Sequence, residues 1–164
     1  MQKKVYLCAK FIKDMTEEEI KARQDQAREL FHQGYNCSQS VFAACADLFG
    51  IEDRELALRL SASFGGGIGR MRLTCGAASG MFLLEGLRSG SSTPHDAEGK
   101  KVNYARVQAL AKAFIEENGA LGCAELSGLN NNGPTPEART EAYYHKRPCE
   151  DLVASAVGIF LKNL

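Results

Sequence analysis

The run Leu73-Thr74-Cys75-Gly76-Ala77-Ala78-Ser79-Gly80-Met81-Phe82-Leu83-Leu84-Glu85-Gly86-Leu87 constrains this chain more than any other stretch. After Thr74, a residue suited to an N-cap, small or apolar side chains occupy almost every position, which is the pattern of a helix buried on all sides. The spacing predicts a central helix starting at Cys75. Gly76 and Gly80 each cost about 1 kcal/mol against Ala inside a helix, so their use is to admit a second backbone or a bound group. Cys75 stands in the first turn, where unpaired N–H groups and the helix dipole favour an anion, and is expected to be a reactive thiolate.

The arrangement recurs. Cys37 follows Tyr35-Asn36 and opens a helical pattern, and Cys149 follows Lys146-Arg147-Pro148 and opens another. Cys123 follows Gly119 and Gly122 and begins the short run Ala124-Glu125-Leu126. One cysteine so placed reads as a small buried hydrophobe. Four at segment starts point to a shared site.

At 164 residues the chain has the length of one domain and can bury a core without staples. Its 20 basic residues balance 20 acidic ones, which argues against a nucleic-acid or anionic-membrane surface. No apolar run reaches the roughly 18 residues of a membrane span, and Val5 to Ala9 is too short for a signal peptide. A cytoplasmic location is expected, with the six cysteines reduced, catalytic or metal-bound rather than paired in a disulfide framework. No C-x-x-C occurs, so any cluster has to be assembled by the fold.

Residues 1 to 15 carry too weak a pattern for assignment and are left as an N-terminal arm; the helical region is 16–164. Thr16 to Glu19 fits a capping box, with a helix from there to about Gln33. A second helix should run from Cys37 to Gly50 and a third from Asp53, with Leu56, Leu60 and Phe64 on one face. Phe64-Gly65-Gly66-Gly67-Ile68-Gly69 lacks the Lys-Ser or Lys-Thr and the preceding strand of a phosphate loop. It reads either as a nest of N–H groups facing a sulfur or anion, with Arg70 and Arg72 adding charge, or as a tight turn with solvated arginines. Further helices are predicted from about Lys101 to Asn118, over Glu137 to Tyr144, and from Cys149, the last packing centrally beside the Cys75 helix. Strands are absent. The fold class is all-α, a single irregular helical bundle.

Cys75-Gly76-Ala77-x-x-Gly80, with the three further cysteines, resembles the redox-active family named for its C-GCAxxG-C-C signature. Asn36-Cys37-Ser38-Gln39 is similar to that family's first cysteine segment, and Phe64 to Arg70 to the glycine stretch before CGAxxG. Cys123-x-x-Leu126 and Cys149-x-x-Leu152-Val153 are similar to the third and fourth. The resemblance covers Ala27 to Leu161 and implies redox activity without choosing its chemistry. Cys8 and Cys45 lie outside the pattern, Cys45 as a core residue.

Four thiolates can hold a zinc ion or an iron-sulfur cluster, whose negative charge helix N-termini and cations such as Arg70, Arg72, Lys146 and Arg147 would offset. Structural zinc draws its ligands in close pairs, so an iron-sulfur cluster or other thiolate-bound metal at Cys37, Cys75, Cys123 and Cys149 is favoured, with Gly76, Gly80, Arg70 and Arg72 around the bound group. Metal-free thiol–disulfide chemistry by the same cysteines is the close alternative, and a non-redox metal carrier a third. His145 is expected to be an exposed loop residue, and Glu85 to pair with Arg88 at the bundle edge. The redox partner is unspecified, whether the chain is an enzyme is open, and its small-residue helix positions leave room for a homodimer.

Overall fold

A computed structural model describes residues 15–130 and 133–164. The N-terminal arm through residue 14, Cys8 included, lies outside the described residues. These form eight α-helices and no sheet, an all-α architecture.

Helix α1 (Glu17–His32) starts at the expected capping box. Thr16 Oγ1 accepts the Glu19 N–H at 3.2 Å and Glu19 Oε2 accepts the Thr16 N–H at 2.8 Å. Helix α2 (Cys37–Ala43) is opened by a second capping box, Asn36 with Gln39. It does not continue to Gly50 as predicted. The Arg23 guanidinium donates to the Ala44 carbonyl at 2.9 Å and binds Asp47 at 2.7 Å. With that carbonyl satisfied from outside, the chain leaves the α-helix and resumes as a 3₁₀ turn over Ala46–Phe49, Cys45 lying fully buried at the break.

Helix α3 (Arg54–Ser61) departs from prediction in its facing. Leu56 and Leu60 are 47% and 49% exposed, while Ala57 and Ser61 face inward. The α2 cap residues decide this. Gln39 Nε2 donates to the Leu58 carbonyl at 3.1 Å and Asn36 Nδ2 to the Ala62 carbonyl at 2.8 Å, which fixes the inner face of α3 on small side chains. A 3₁₀ turn (Ala62–Phe64) then leads into the glycines.

Helix α4 (Gly76–Ser89) is the predicted central helix, with Cys75 as its N-cap rather than its first residue. It is buried from Gly76 to Met81 and at Leu84 and Glu85, while Gly86 and Leu87 are exposed. Helix α5 (Ala97–Asn118) begins four residues earlier than predicted because Asp96 Oδ1 caps the Gly99 N–H at 2.8 Å. It packs by a narrow stripe, Leu110 and Phe114, leaving Val102 and Ile115 exposed. Helices α6 (Cys123–Ser127) and α7 (Glu141–His145) are short; α7 starts at the Thr140 cap and not at Glu137. Helix α8 (Cys149–Lys162) buries Leu152, Val153, Ala156, Val157 and Phe160 against α1, α2, α4 and α5. No described helix is long and apolar enough to cross a membrane.

Gly76 and Gly80 in α4 serve close approach by neighbouring segments. A Cβ on Gly80 would lie 2.9 Å from the Ser38 carbonyl oxygen and 2.9 Å from Val41 Cβ, and one on Gly76 would lie 3.0 Å from the Phe64 carbonyl oxygen and 3.1 Å from Cys37 Cβ. Helix α2 therefore seats directly on α4, and neither glycine borders the cavity described below. Gly80→Ala is expected to destabilise by about 1–3 kcal/mol as the helices separate, despite its better helix propensity. Gly86→Ala, with nothing within 4 Å of the added Cβ, is expected to stabilise by up to about 1 kcal/mol. Urea denaturation of the two variants checks the opposed signs.

Candidate functional site

Two pieces of unusual backbone build the site. The first is the glycine stretch. Gly66, Gly67, Ile68, Gly69 and Arg70 all have left-handed φ angles of 62°, 70°, 61°, 56° and 65°, and Arg72 follows at 60°. A non-glycine residue in this conformation costs about 1–2 kcal/mol, so the three glycines make the turn affordable while Ile68, Arg70 and Arg72 carry strain. Its N–H groups bond back to carbonyls, Gly69 to Ser63 at 2.8 Å, Arg72 to Gly66 at 3.2 Å and Leu73 to Gly67 at 3.1 Å. The N–H groups from Ile68 to Leu73 are thus satisfied within a tight turn rather than turned toward an anion, but its arginines are not the solvated ones of that reading. Gly67 cannot carry a side chain, because its Cβ would lie 2.6 Å from Cys123 Cβ and 2.7 Å from the Leu73 nitrogen.

The second piece is a backbone clasp. Cys75 N–H donates to the Leu121 carbonyl at 2.8 Å, Cys123 N–H to the Leu73 carbonyl at 2.6 Å and Ala124 N–H to the Arg72 carbonyl at 3.2 Å, around an isolated antiparallel bridge between Thr74 and Gly122. The start of α6 is thereby fixed beside the start of α4.

Each of the four predicted cysteines stands at a helix start: Cys37, Cys123 and Cys149 as first residues, Cys75 as an N-cap. Cys37 and Cys149 border the same cavity and each shifts the other's ionisation, and Cys37 lies within electrostatic reach of Cys75 and Cys123. They differ in access. Cys37, Cys123 and Cys149 border a cavity of about 280 Å³, whereas Cys75 lies behind it, 4% exposed. Cys45 belongs to the core, its thiol pushed up to about 12 by burial.

Burial also pushes the Cys75 thiol up to about 12, although the Ala77 and Ala78 N–H groups pull the other way. This corrects the expectation of a thiolate. A helix N-terminus stabilises an anion by about 0.3–2 kcal/mol, while removing the ion from water costs several. Cys149 goes the opposite way, down to about 7, through the hydrogen bond from Cys37 and, against its burial, the guanidinium groups of Arg147, Arg139 and Arg72. Cys37 is correspondingly raised well above the ordinary thiol value, by its hydrogen bond to Cys149 and by burial. Of the two, Cys149 is the member that ionises first.

Arginines line the cavity. Arg70, from the strained turn, donates Nε to the Gly133 carbonyl at 2.8 Å, and the buried Arg72 places Nη1 3.9 Å from Cys123 Sγ. Arg139 and Arg147 stack on Tyr143, 4.5 Å and 4.3 Å from its ring centre. Burial raises the Tyr143 hydroxyl above its ordinary value despite these cations. Arg147 binds Glu137 Oε2 at 2.5 Å, and Arg139 donates Nη2 to the Tyr35 carbonyl at 3.1 Å. Sequence reasoning missed Arg139, Tyr143 and Glu137. The signal was the four-residue spacing Arg139–Tyr143–Arg147, which flanks and spans α7. Lys146 and His145 are exposed and away from the cavity, His145 pairing with Glu141 at 3.6 Å. Glu85 pairs with Arg88 at 3.3 Å but is fully buried rather than at an edge, and Ser89 Oγ donates to it at 2.6 Å.

The family model described as "Putative redox-active protein (C_GCAxxG_C_C)" matches residues 35–162, a span that includes every one of these cysteines and arginines. The chain belongs to that family. An uncharacterized protein of Archaeoglobus fulgidus is 25% identical over 153 residues, covering 90% of this chain and 96% of that protein. No solved structure matches the chain. The description of the C_GCAxxG_C_C family names a redox-active class of protein and specifies no chemistry.

In reduced protein, alkylation mapped by mass spectrometry should find Cys149 fast and Cys75 and Cys45 nearly inert. The thiolate is the nucleophile, so the Cys149 rate should rise with pH through about 7 and level off above it. A Cys75 that reacts as fast as Cys149 would contradict the burial described above.

Proposed function

We propose that this protein is a thiol–disulfide redox protein in which Cys149 attacks and Cys37 completes the exchange. The observation that carries the reading is that Cys37 and Cys149 border one cavity lined by Arg72, Arg139 and Arg147, where Cys149 is the thiol that ionises more easily. The iron-sulfur or other metal-thiolate centre favoured from sequence lacks comparable support. Among the described residues, no group of three or more His, Cys, Asp and Glu side chains is disposed to hold a metal ion. The same observation weakens the carrier alternative.

The exchange balances with a disulfide as oxidant. The Cys149 thiolate attacks one sulfur of a substrate disulfide, forming a mixed disulfide and expelling the other sulfur as a thiolate that takes up a proton. Cys37 then loses its proton and attacks Cys149 Sγ; the Cys37–Cys149 disulfide forms and the second substrate thiolate leaves. Two substrate thiols have been made, and the protein has lost two electrons. A dithiol donor running the same steps in reverse resets it. Arg147 and Arg139 hold the Cys149 charge, and as that sulfur becomes neutral on attack, the Cys37 proton is released from the bond that had retained it. Cys123, beside Arg72, is a further thiol open to exchange, whereas Cys75 acts in this reading through packing.

The test uses reduced protein and a small disulfide under anaerobic conditions. Wild type should form a Cys37–Cys149 disulfide, identified by peptide mapping. Cys37→Ser should stop at a stable mixed disulfide on Cys149, and Cys149→Ser should slow oxidation at least about tenfold. If Cys37→Ser releases substrate thiol as wild type does, or if Cys149→Ser leaves the rate unchanged, the assignment fails. Iron and acid-labile sulfide retained by wild type and lost from both variants would restore the metal-centre reading.

A further inference from the structure

The cavity in front of Cys149 carries more positive charge than holding one thiolate requires. Among the described residues lining it, Arg70, Arg72, Arg139 and Arg147 bring four guanidinium groups and Glu137 the one carboxylate. Guanidinium does not deprotonate in proteins, so this excess cannot be titrated away. Glu137 is already shared, at 2.5 Å from Arg147 and 3.9 Å from Arg70. Among the described residues Arg139 has no carboxylate in ion-pair reach. Its face rests on Phe31 and Tyr143, 4.6 Å and 4.5 Å from the ring centres, its Nη2 donates to the Tyr35 carbonyl, and its buried Nη1 has no hydrogen-bond partner. An unsatisfied buried donor on a half-buried cation is costly, and an anion beside this guanidinium offers it a charge-assisted partner.

We infer that this cavity selects anionic sulfur substrates, small disulfides or thiols that carry a carboxylate or sulfonate near the reacting sulfur. The redox step on such a substrate rests on the thiol–disulfide reading above; the charge preference does not. At about 280 Å³ the cavity admits a short chain bearing one acid group and not a drug-sized molecule, which limits the substrate portion inside it to a few heavy atoms. The aromatic rings of Phe31 and Tyr143 hold Arg139 without neutralising it, so its charge stays available to a ligand.

Two sets of probes separate the parts of this proposal. The first compares iodoacetate with iodoacetamide at Cys149, each rate divided by that of free mercaptoethanol with the same reagent. Iodoacetate should gain about tenfold over iodoacetamide at low salt, with the gain shrinking as salt is added. Arg139→Gln should reduce the gain, and Glu137→Gln, which removes the one opposing charge, should increase it. Because the two variants are predicted to move in opposite directions, a general loss of folding cannot imitate the result; circular dichroism checks each. The second set compares dithiodipropionate, bis(hydroxyethyl) disulfide and cystamine as oxidants, and the anionic compound should be fastest and the cationic one slowest. Equal normalised rates in both sets, or both variants moving the same way, would overturn anion selection while leaving disulfide exchange intact. A preference for iodoacetate with no disulfide formed from any of the three would uphold the anion site and overturn the redox reading instead.

Discussion

The close seating of α2 on α4 is the contact on which the rest of the arrangement depends. Gly80 lies against the Ser38 carbonyl and the Val41 side chain and Gly76 against the Phe64 carbonyl and Cys37 Cβ, with no room for a side chain of their own. That contact sets the first residue of α2, Cys37, against the first turn of α4, and it leaves the α2 cap residues Asn36 and Gln39 free to hold the end of α3. The end of α3 runs straight into the left-handed turn, so the position of Arg70 and Arg72 is inherited from the same glycines. Helix α8, buried on several sides by the surrounding helices, then has its first residue, Cys149, placed next to Cys37.

Cys75 and Cys149 stand at the starts of equally long helices, yet their acidities diverge. Both are nearly buried, so both lose hydration, and the helix dipole offers each a similar small compensation. The difference is the partner. Cys149 has a hydrogen-bond donor in Cys37 and three guanidinium groups that favour its charge, whereas Cys75 has backbone N–H groups alone and sulfurs that would repel it. A helix terminus therefore inclines a thiol toward ionisation, and full-charge neighbours decide whether it ionises.

What could be read from sequence follows the range of each cause. The cysteines at helix starts, the all-α class and the central glycine-bearing helix depend on local pattern, and these were legible. The break after α2 and the outward face of α3 were not, because both depend on side chains arriving from elsewhere: Arg23 from α1 in the first case, Asn36 and Gln39 in the second. The site was legible only in part for the same reason. Arg70 and Arg72 were found beside a motif, while Arg139 is brought in by a segment between a proline-rich loop and a five-residue helix, where periodicity carries little signal. Gly76 and Gly80 were recognised as close-approach positions, but spacing alone does not say whether a helix or a ligand makes the approach.

Whole-chain charge was equally silent about the cavity. The formal net charge is zero, yet four arginines gather around one small space with one carboxylate between them. Like charges at this density repel, and a chain selected for stability alone would disperse them. Beyond Glu137, which pairs with Arg147 and Arg70, they are retained by devices that add no negative charge: aromatic faces under Arg139 and Arg147, backbone carbonyls on Arg70 and Arg139, and a turn strained into left-handed geometry that presents Arg70 and Arg72. Neutral restraints of this kind fix the position of a cation without consuming its field. That is the condition under which the field can act on something else, first the Cys149 sulfur and then whatever negative group enters the cavity beside it.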